Sequence, residues 1–187
     1  MTIIGIEGGI GTGKTLLAVY LALQKKKKLL TNVKLYTDEV EVQYVTKELI
    51  NDMFRLVKDG TLDMKNTVVL IQEMHNYMDA RTSSSKKNRT LSYWVLQSRH
   101  TGEGSCDIIY DTQELRQVDR RLRMNTDEII RPFIVTKKFK YDSKDPVPSL
   151  IVALGEKKRF HKMVRFKITA DVYDTVGKYD THEIVDF

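Results

Sequence analysis

The chain has 187 residues, of which 41% are hydrophobic and 30% charged, and its net charge is +6. That length suits one domain with a full core, here expected to span residues 1–187. No apolar run approaches the roughly 18–20 residues that span a bilayer. The lone Cys106 excludes an internal disulfide framework, and the moderate positive charge permits nucleic acid as a partner without demanding it.

Thr2 to Ile6 reads as a short apolar strand that starts at once, so no leader peptide is expected and a cytoplasmic location is. The next residues, Gly8-Gly9-Ile10-Gly11-Thr12-Gly13-Lys14-Thr15, fit G-x-x-x-x-G-K-S/T, a phosphate-binding loop. Thr15 to Gln24 then reads as a helix. The order matters. Glycines let the backbone fold tightly and aim its N–H groups at an anion, and the positive end of the helix adds to that field. Lys14 brings a point charge to the β- and γ-phosphates of ATP, and the Thr15 hydroxyl is a ligand for Mg²⁺.

The helix ends in Lys25-Lys26-Lys27-Lys28, either a solvated end complementing the helix dipole or a contact to nucleic-acid phosphates. Leu29 to Asn32 is a second strand with a polar stop, and Asp38 to Tyr44 alternates in the β manner. Thr46 to Lys58 carries apolar residues at helical spacing and stops at Asp59-Gly60. Thr67 to Ile71 is a continuous apolar, β-branched run, the pattern of a buried parallel strand.

Gln72-Glu73 follow that strand, where many phosphate-loop ATPases carry two acidic residues. The first holds Mg²⁺ through water and the second polarises the attacking water. Glu73 is the expected general base or water-orienting group, against a surface glutamate. Gln72 can hydrogen-bond a metal-bound water but supplies no charge. Met74 to Ala80 is expected to be a short helical segment. Arg81 to Arg89 is basic and polar with no apolar anchor, so a mobile loop is expected, one that is merely solvated, contacts DNA, or sends Arg81 to a neighbour's nucleotide.

Thr90 to His100 is a packing helix broken by Thr101 to Gly104. Asp107 to Thr112 is a fourth long strand, with Gln113 at its C-terminal end. Ligands of an open parallel sheet lie outside the strand C-termini. Gln113 is thus placed to sense the γ-phosphate or hold the lytic water. Glu114 to Met124 looks helical and rich in arginine, and Arg131-Pro132 ends the following segment. The pattern then turns to β at Phe133 to Thr136, Leu150 to Leu154 and Met163 to Ile168, expected as antiparallel additions to the sheet edge.

Several of these pieces together resemble one family. They are Gly8 to Thr15, the strand-ending Gln72-Glu73, Arg99-His100-Thr101-Gly102, Thr112-Gln113, Val118 to Arg123, and Tyr179-Asp180-Thr181. The chain resembles the FtsK–HerA superfamily of DNA-pumping ATPases, and more narrowly the short Zot-like and packaging ATPases of archaeal viruses. The resemblance implies an α/β phosphate-loop fold of the RecA/FtsK type, with a mostly parallel central sheet flanked by helices and antiparallel C-terminal strands. It implies a ring, usually a hexamer, with ATP sites between subunits, double-stranded DNA as the substrate moved, and a capsid or portal partner. It also implies that Arg99 is an arginine finger acting in trans, although a helix-end cation is the plainer role. A nucleotide kinase and a nucleotide-stabilised assembly or secretion protein are the alternatives.

Overall fold

The computed structural model describes residues 2–59, 63–97, 106–134 and 151–157, with Thr175 and Lys178. Its strands are β1 (Ile3–Glu7), β2 (Lys28–Thr31), β3 (Val42–Tyr44), β4 (Thr67–Ile71), β5 (Asp107–Thr112), β6 (Glu128–Ile134) and β7 (Ile151–Lys157). Its α-helices are α1 (Lys14–Gln24), α2 (Lys47–Lys58), α3 (Lys86–Gln97) and α4 (Arg120–Asn125). One sheet runs in the order β3-β2-β4-β5-β1-β6-β7. All its pairings are parallel except β6 with β7. No helix among the described residues is long and apolar enough to cross a membrane.

The apolar strands need cover on both faces, and side chains of a strand alternate between faces. On β4, Val68 and Leu70 pack with Leu17, Ala18 and Leu23 of α1. Val69 and Ile71 pack on the other face with Met53 of α2 and Trp94 of α3. Leu122 of α4 joins this second cluster. The connections leaving β1 and β5 therefore pass to opposite faces, which makes the gap between these adjacent strands the topological switch point of the sheet.

Four sequence expectations change. Strand β6 begins at Glu128, so Arg131 and Pro132 lie inside it. Pro132 is tolerated because β1 stops pairing at Ile130 and only β7 flanks it beyond that point. Strand β6 is also parallel to β1, leaving β7 as the antiparallel addition. The segment 114–124 is not one helix: a 3-10 turn at Leu115–Gln117 precedes α4, and Val118 between them bridges to Asp79. Third, residues 81–89 are not a free loop. A 3-10 turn at Ala80–Thr82 leads into α3, which starts at Lys86.

The anchor of that stretch is polar. Asn88 is 1% exposed, and its Nδ2 donates to the Asp79 carbonyl at 2.7 Å and to Asp119 Oδ2 at 3.3 Å. Asp119, fully buried, also caps α4 by accepting from the Arg121 N–H at 2.8 Å. Lastly, the lysine run lies beside carboxylates. Lys25 and Lys27 sit 3.9 and 2.9 Å from Asp107, and Lys28 sits 2.8 Å from Glu41. This is the sheet edge opposite the phosphate loop. The segments 98–105, 163–168 and 179–181 fall outside the described residues.

Strands β1 and β5 meet at an unusually close seam. Gly5 is level with Tyr110, and a Cβ on Gly5 would come within 2.7 Å of the Tyr110 hydroxyl and 2.8 Å of Cζ. The ring has nowhere to retreat. It is fully buried, and its hydroxyl lies 2.8 Å from Thr126 Oγ1, which itself donates to the Leu122 carbonyl. Gly5→Ala is expected to lower stability by about 1–3 kcal/mol through overpacking, read as a lower denaturant midpoint at unchanged slope. An unchanged midpoint would show that the seam has slack.

Candidate functional site

The phosphate loop joins β1 to α1, and its backbone has the form the glycines were expected to allow. Gly11 and Gly13 take φ of 75° and 81°, a region costly for other residues. Gly8 is needed for space, since a Cβ there would lie 2.6 Å from Thr12 Oγ1. Gly13 begins α1 without any side-chain cap, which leaves the first amides of the helix to an external acceptor. Lys14, 7% exposed, folds back so that its Nζ donates to the Gly9 carbonyl at 3.0 Å.

The three strand ends that surround this loop are neighbours: β4, β5 and β1 lie side by side. At the end of β4, Gln72 Nε2 donates to Thr15 Oγ1 at 3.0 Å. The Thr15 hydroxyl donates in turn to Asp111 Oδ2 at 3.3 Å. The other Asp111 oxygen accepts the Glu73 backbone N–H at 2.8 Å. Glu73 holds φ 52° and ψ 51°, the left-handed region, where a residue with a Cβ is strained. The Asp111 bond helps to hold it there. Glu73 Oε2 is buried without a hydrogen-bond partner, although His75 Nδ1 lies 3.3 Å away.

Two residues are found here that the sequence patterns did not single out. Asp111 is fully buried at the end of an apolar strand. Burial, reinforced by the nearby Glu73 charge, pushes its carboxyl up to about 7 despite the Glu73 N–H, Lys14 and Thr15. Its signal was an acidic residue breaking the apolar run immediately before Thr112-Gln113. Asn32, at the end of β2, clamps the Gln72 backbone from both sides, accepting its N–H at 2.8 Å and donating to its carbonyl at 3.1 Å. The polar stop after β2 was the trace it left in the sequence.

The expected residues distribute unevenly. Gly8 to Thr15, Gln72 and Glu73 converge on one edge. Gln113 is exposed at the end of β5 on the same edge. Arg99 lies outside the described residues. Arg81 is exposed and pairs with Asp79 at 2.7 Å. The Thr15 hydroxyl and the Asp111 carboxylate beside it suit a hard divalent cation such as Mg²⁺. Among the described residues no group of three or more His, Cys, Asp or Glu could hold a metal ion. A cation at Thr15 would draw its remaining ligands from nucleotide phosphates and water.

The sequence profile of the family described as zonular occludens toxin (Zot) matches residues 2–134. The N-terminal domain of the zonular occludens toxin from Neisseria meningitidis is 19% identical, with a TM-score of 0.58, over 99% of this chain and 94% of that one. The genome packaging NTPase of Sulfolobus turreted icosahedral virus 2, in complex with ATPγS, is 16% identical, with a TM-score of 0.58, over 90% of this chain and 98% of that one. At such identities the likeness is one of fold. No curated protein matches the sequence.

The buried Asp111 yields a pH prediction for the metal-free protein. Its carboxyl titrates near 7 in the fold against an ordinary value of 3.8, so the folded state keeps a proton that the unfolded chain has released. Stability should therefore fall as pH rises from about 4 to 7. With EDTA present, Asp111→Asn should melt above wild type at pH 8 and alongside it at pH 4. A variant equally destabilised at both values would show that burial of the charge costs nothing.

Proposed function

The chain belongs to the zonular occludens toxin (Zot) family, and from that membership and the geometry of the site we propose that it is an ATPase that moves double-stranded DNA. The single observation that carries the hydrolytic part is Glu73, held by a strained backbone at the end of β4, one strand from β5 and two from the strand that delivers the phosphate loop. The DNA part rests on the shared fold with a viral genome packaging NTPase and on the net charge of +6. Genome packaging in a virus, in a hexameric ring working with a capsid or portal protein, is the proposed setting.

The chemistry follows from the side chains. ATP enters with its β- and γ-phosphates against the uncapped start of α1. Lys14 exchanges its Gly9 carbonyl for phosphate oxygens, a move of one side chain. The Thr15 hydroxyl would hold Mg²⁺, which when bound would neutralise charge on the phosphate oxygens. Glu73 Oε2, buried and with no hydrogen-bond partner among the described residues, takes the proton of the attacking water or orients it. Gln113, on the same edge, contacts the γ-phosphate or that water. Arg99 acts across a subunit interface, where a guanidinium offsets charge on the transferring group.

The kinase alternative loses its lid, because residues 81–89 are taken up by a 3-10 turn and the first turn of α3. The assembly-factor alternative retains one specific support, the uncharged Gln72 at the position next to Glu73. ATP hydrolysis measured with and without long double-stranded DNA, across a salt series, separates it from a motor. Strong stimulation that fades with salt is the expected result, because the grip is on phosphates. Slow hydrolysis indifferent to DNA would instead favour the assembly factor.

Glu73→Gln should keep ATP affinity while turnover falls by about 10²-fold or more. Arg99→Ala should be inactive alone, and mixtures of the two variants should recover part of the activity, because some interfaces then combine an intact Glu73 with an intact Arg99. Full turnover in Glu73→Gln would remove this glutamate from the mechanism, and no recovery at any mixing ratio would count against a trans role for Arg99.

A further inference from the structure

We propose that Asp111 supplies the anionic ligand of the divalent cation at Thr15, one strand away from where the sequence pattern seeks it, and that Gln72 is a neutral positioning group beside it. The proposal rests on the nucleotide-binding reading of the phosphate loop.

Register explains how the charge can move between strands. In the β4–β5 pair Ile71 is level with Tyr110, which puts Gln72 and Asp111 on the next row. In the β5–β1 pair Asp111 is level with Ile6, two residues before the loop. Asp111 is thus the penultimate residue of the strand that lies between Gln72 and the loop. Thr15 Oγ1 reaches both, at 3.0 Å to Gln72 Nε2 and 3.3 Å to Asp111 Oδ2. The two contacts differ in kind. Gln72 presents an amide N–H to the hydroxyl, and a donor cannot ligate a cation. Asp111 presents a carboxylate oxygen. With Thr15 donating its proton to that oxygen, its hydroxyl keeps two lone pairs, one taken by Gln72 and one open to a metal.

The cost of Asp111 points the same way. It is 0% exposed, and its two hydrogen-bond partners are an amide and a hydroxyl, neither of them charged. A buried carboxylate with neutral partners is expensive. A purely structural tie to the Glu73 N–H would need only an amide oxygen, which asparagine has. What asparagine lacks is the charge, which the nearby Lys14 favours and which a cation at Thr15 would use.

The test is Mn²⁺ binding, followed by its paramagnetic resonance signal, with ATPγS present, alongside ATPγS affinity in EDTA. Asp111→Asn should weaken Mn²⁺ by roughly 10–100-fold and leave ATPγS affinity in EDTA within about twofold. Adding Gln72→Asp to that variant should restore most of the Mn²⁺ affinity by returning a carboxylate to the neighbouring row. Unchanged Mn²⁺ affinity in Asp111→Asn overturns the assignment. So does an equal loss of ATPγS in EDTA and in Mn²⁺, the mark of a structural role. A wild-type chain that binds no ATPγS in either condition removes the nucleotide-binding reading itself.

Discussion

A single buried carboxylate ties together the edge of the sheet that carries the phosphate loop. One oxygen of Asp111 fixes the amide of Glu73 and the other takes the hydroxyl of Thr15, so one side chain sets both the strained backbone at the end of β4 and the first turn of α1. Burial makes that side chain costly as an anion. The buried charge and the left-handed glutamate both cost stability at this edge. Such local conflict between folding and chemistry is common at active sites.

The supports around this edge are mostly backbone-directed. Asn32 grips Gln72 by its main chain alone, and the Thr112 hydroxyl donates to the Glu114 carbonyl while lying 3.2 Å from His75 Nδ1. Glu7, the last residue of β1, accepts the Leu115 N–H at 2.7 Å and pairs with Arg131 of β6 at 2.7 Å. The segment after β5 is thereby tied back to the strand that delivers the phosphate loop. Apart from Arg131, these contacts use residues at or just past a strand end, where the ladder of the sheet no longer satisfies main-chain groups.

Much of this was legible in the sequence, for physical reasons. Thr67 to Ile71 and Asp107 to Thr112 announced themselves because strands covered on both faces must be apolar throughout. The phosphate loop was legible because φ values of 75° and 81° demand glycine. Asp111 was hidden by the same logic that revealed its strand: one acid in an apolar run is absorbed into the run. Residues 81–89 misled because their anchor is Asn88, and a polar anchor has no hydrophobic signature. The start of strand β6 was hidden because Glu128 precedes Ile129 and Ile130, and Arg131 and Pro132 cut their apolar run short. The antiparallel end strand and the mostly parallel sheet were expected; the parallel pairing of β6 with β1 was not. Those errors share a cause, since each depends on partners distant in sequence.

The seam between Gly5 and Tyr110 has a mechanical consequence. A ring pressed onto a bare backbone, and pinned at its hydroxyl by Thr126, acts as a key between β1 and β5. The two strands cannot slide along each other without lifting that ring out of a close-packed interior. The phosphate loop and Asp111 are thus mounted on one rigid plate. Among the described residues, the parts placed to move relative to that plate begin where the strands stop: the turn at Glu73, the segment from Gln113 onward, and the chain that leads from Asp79 into α3.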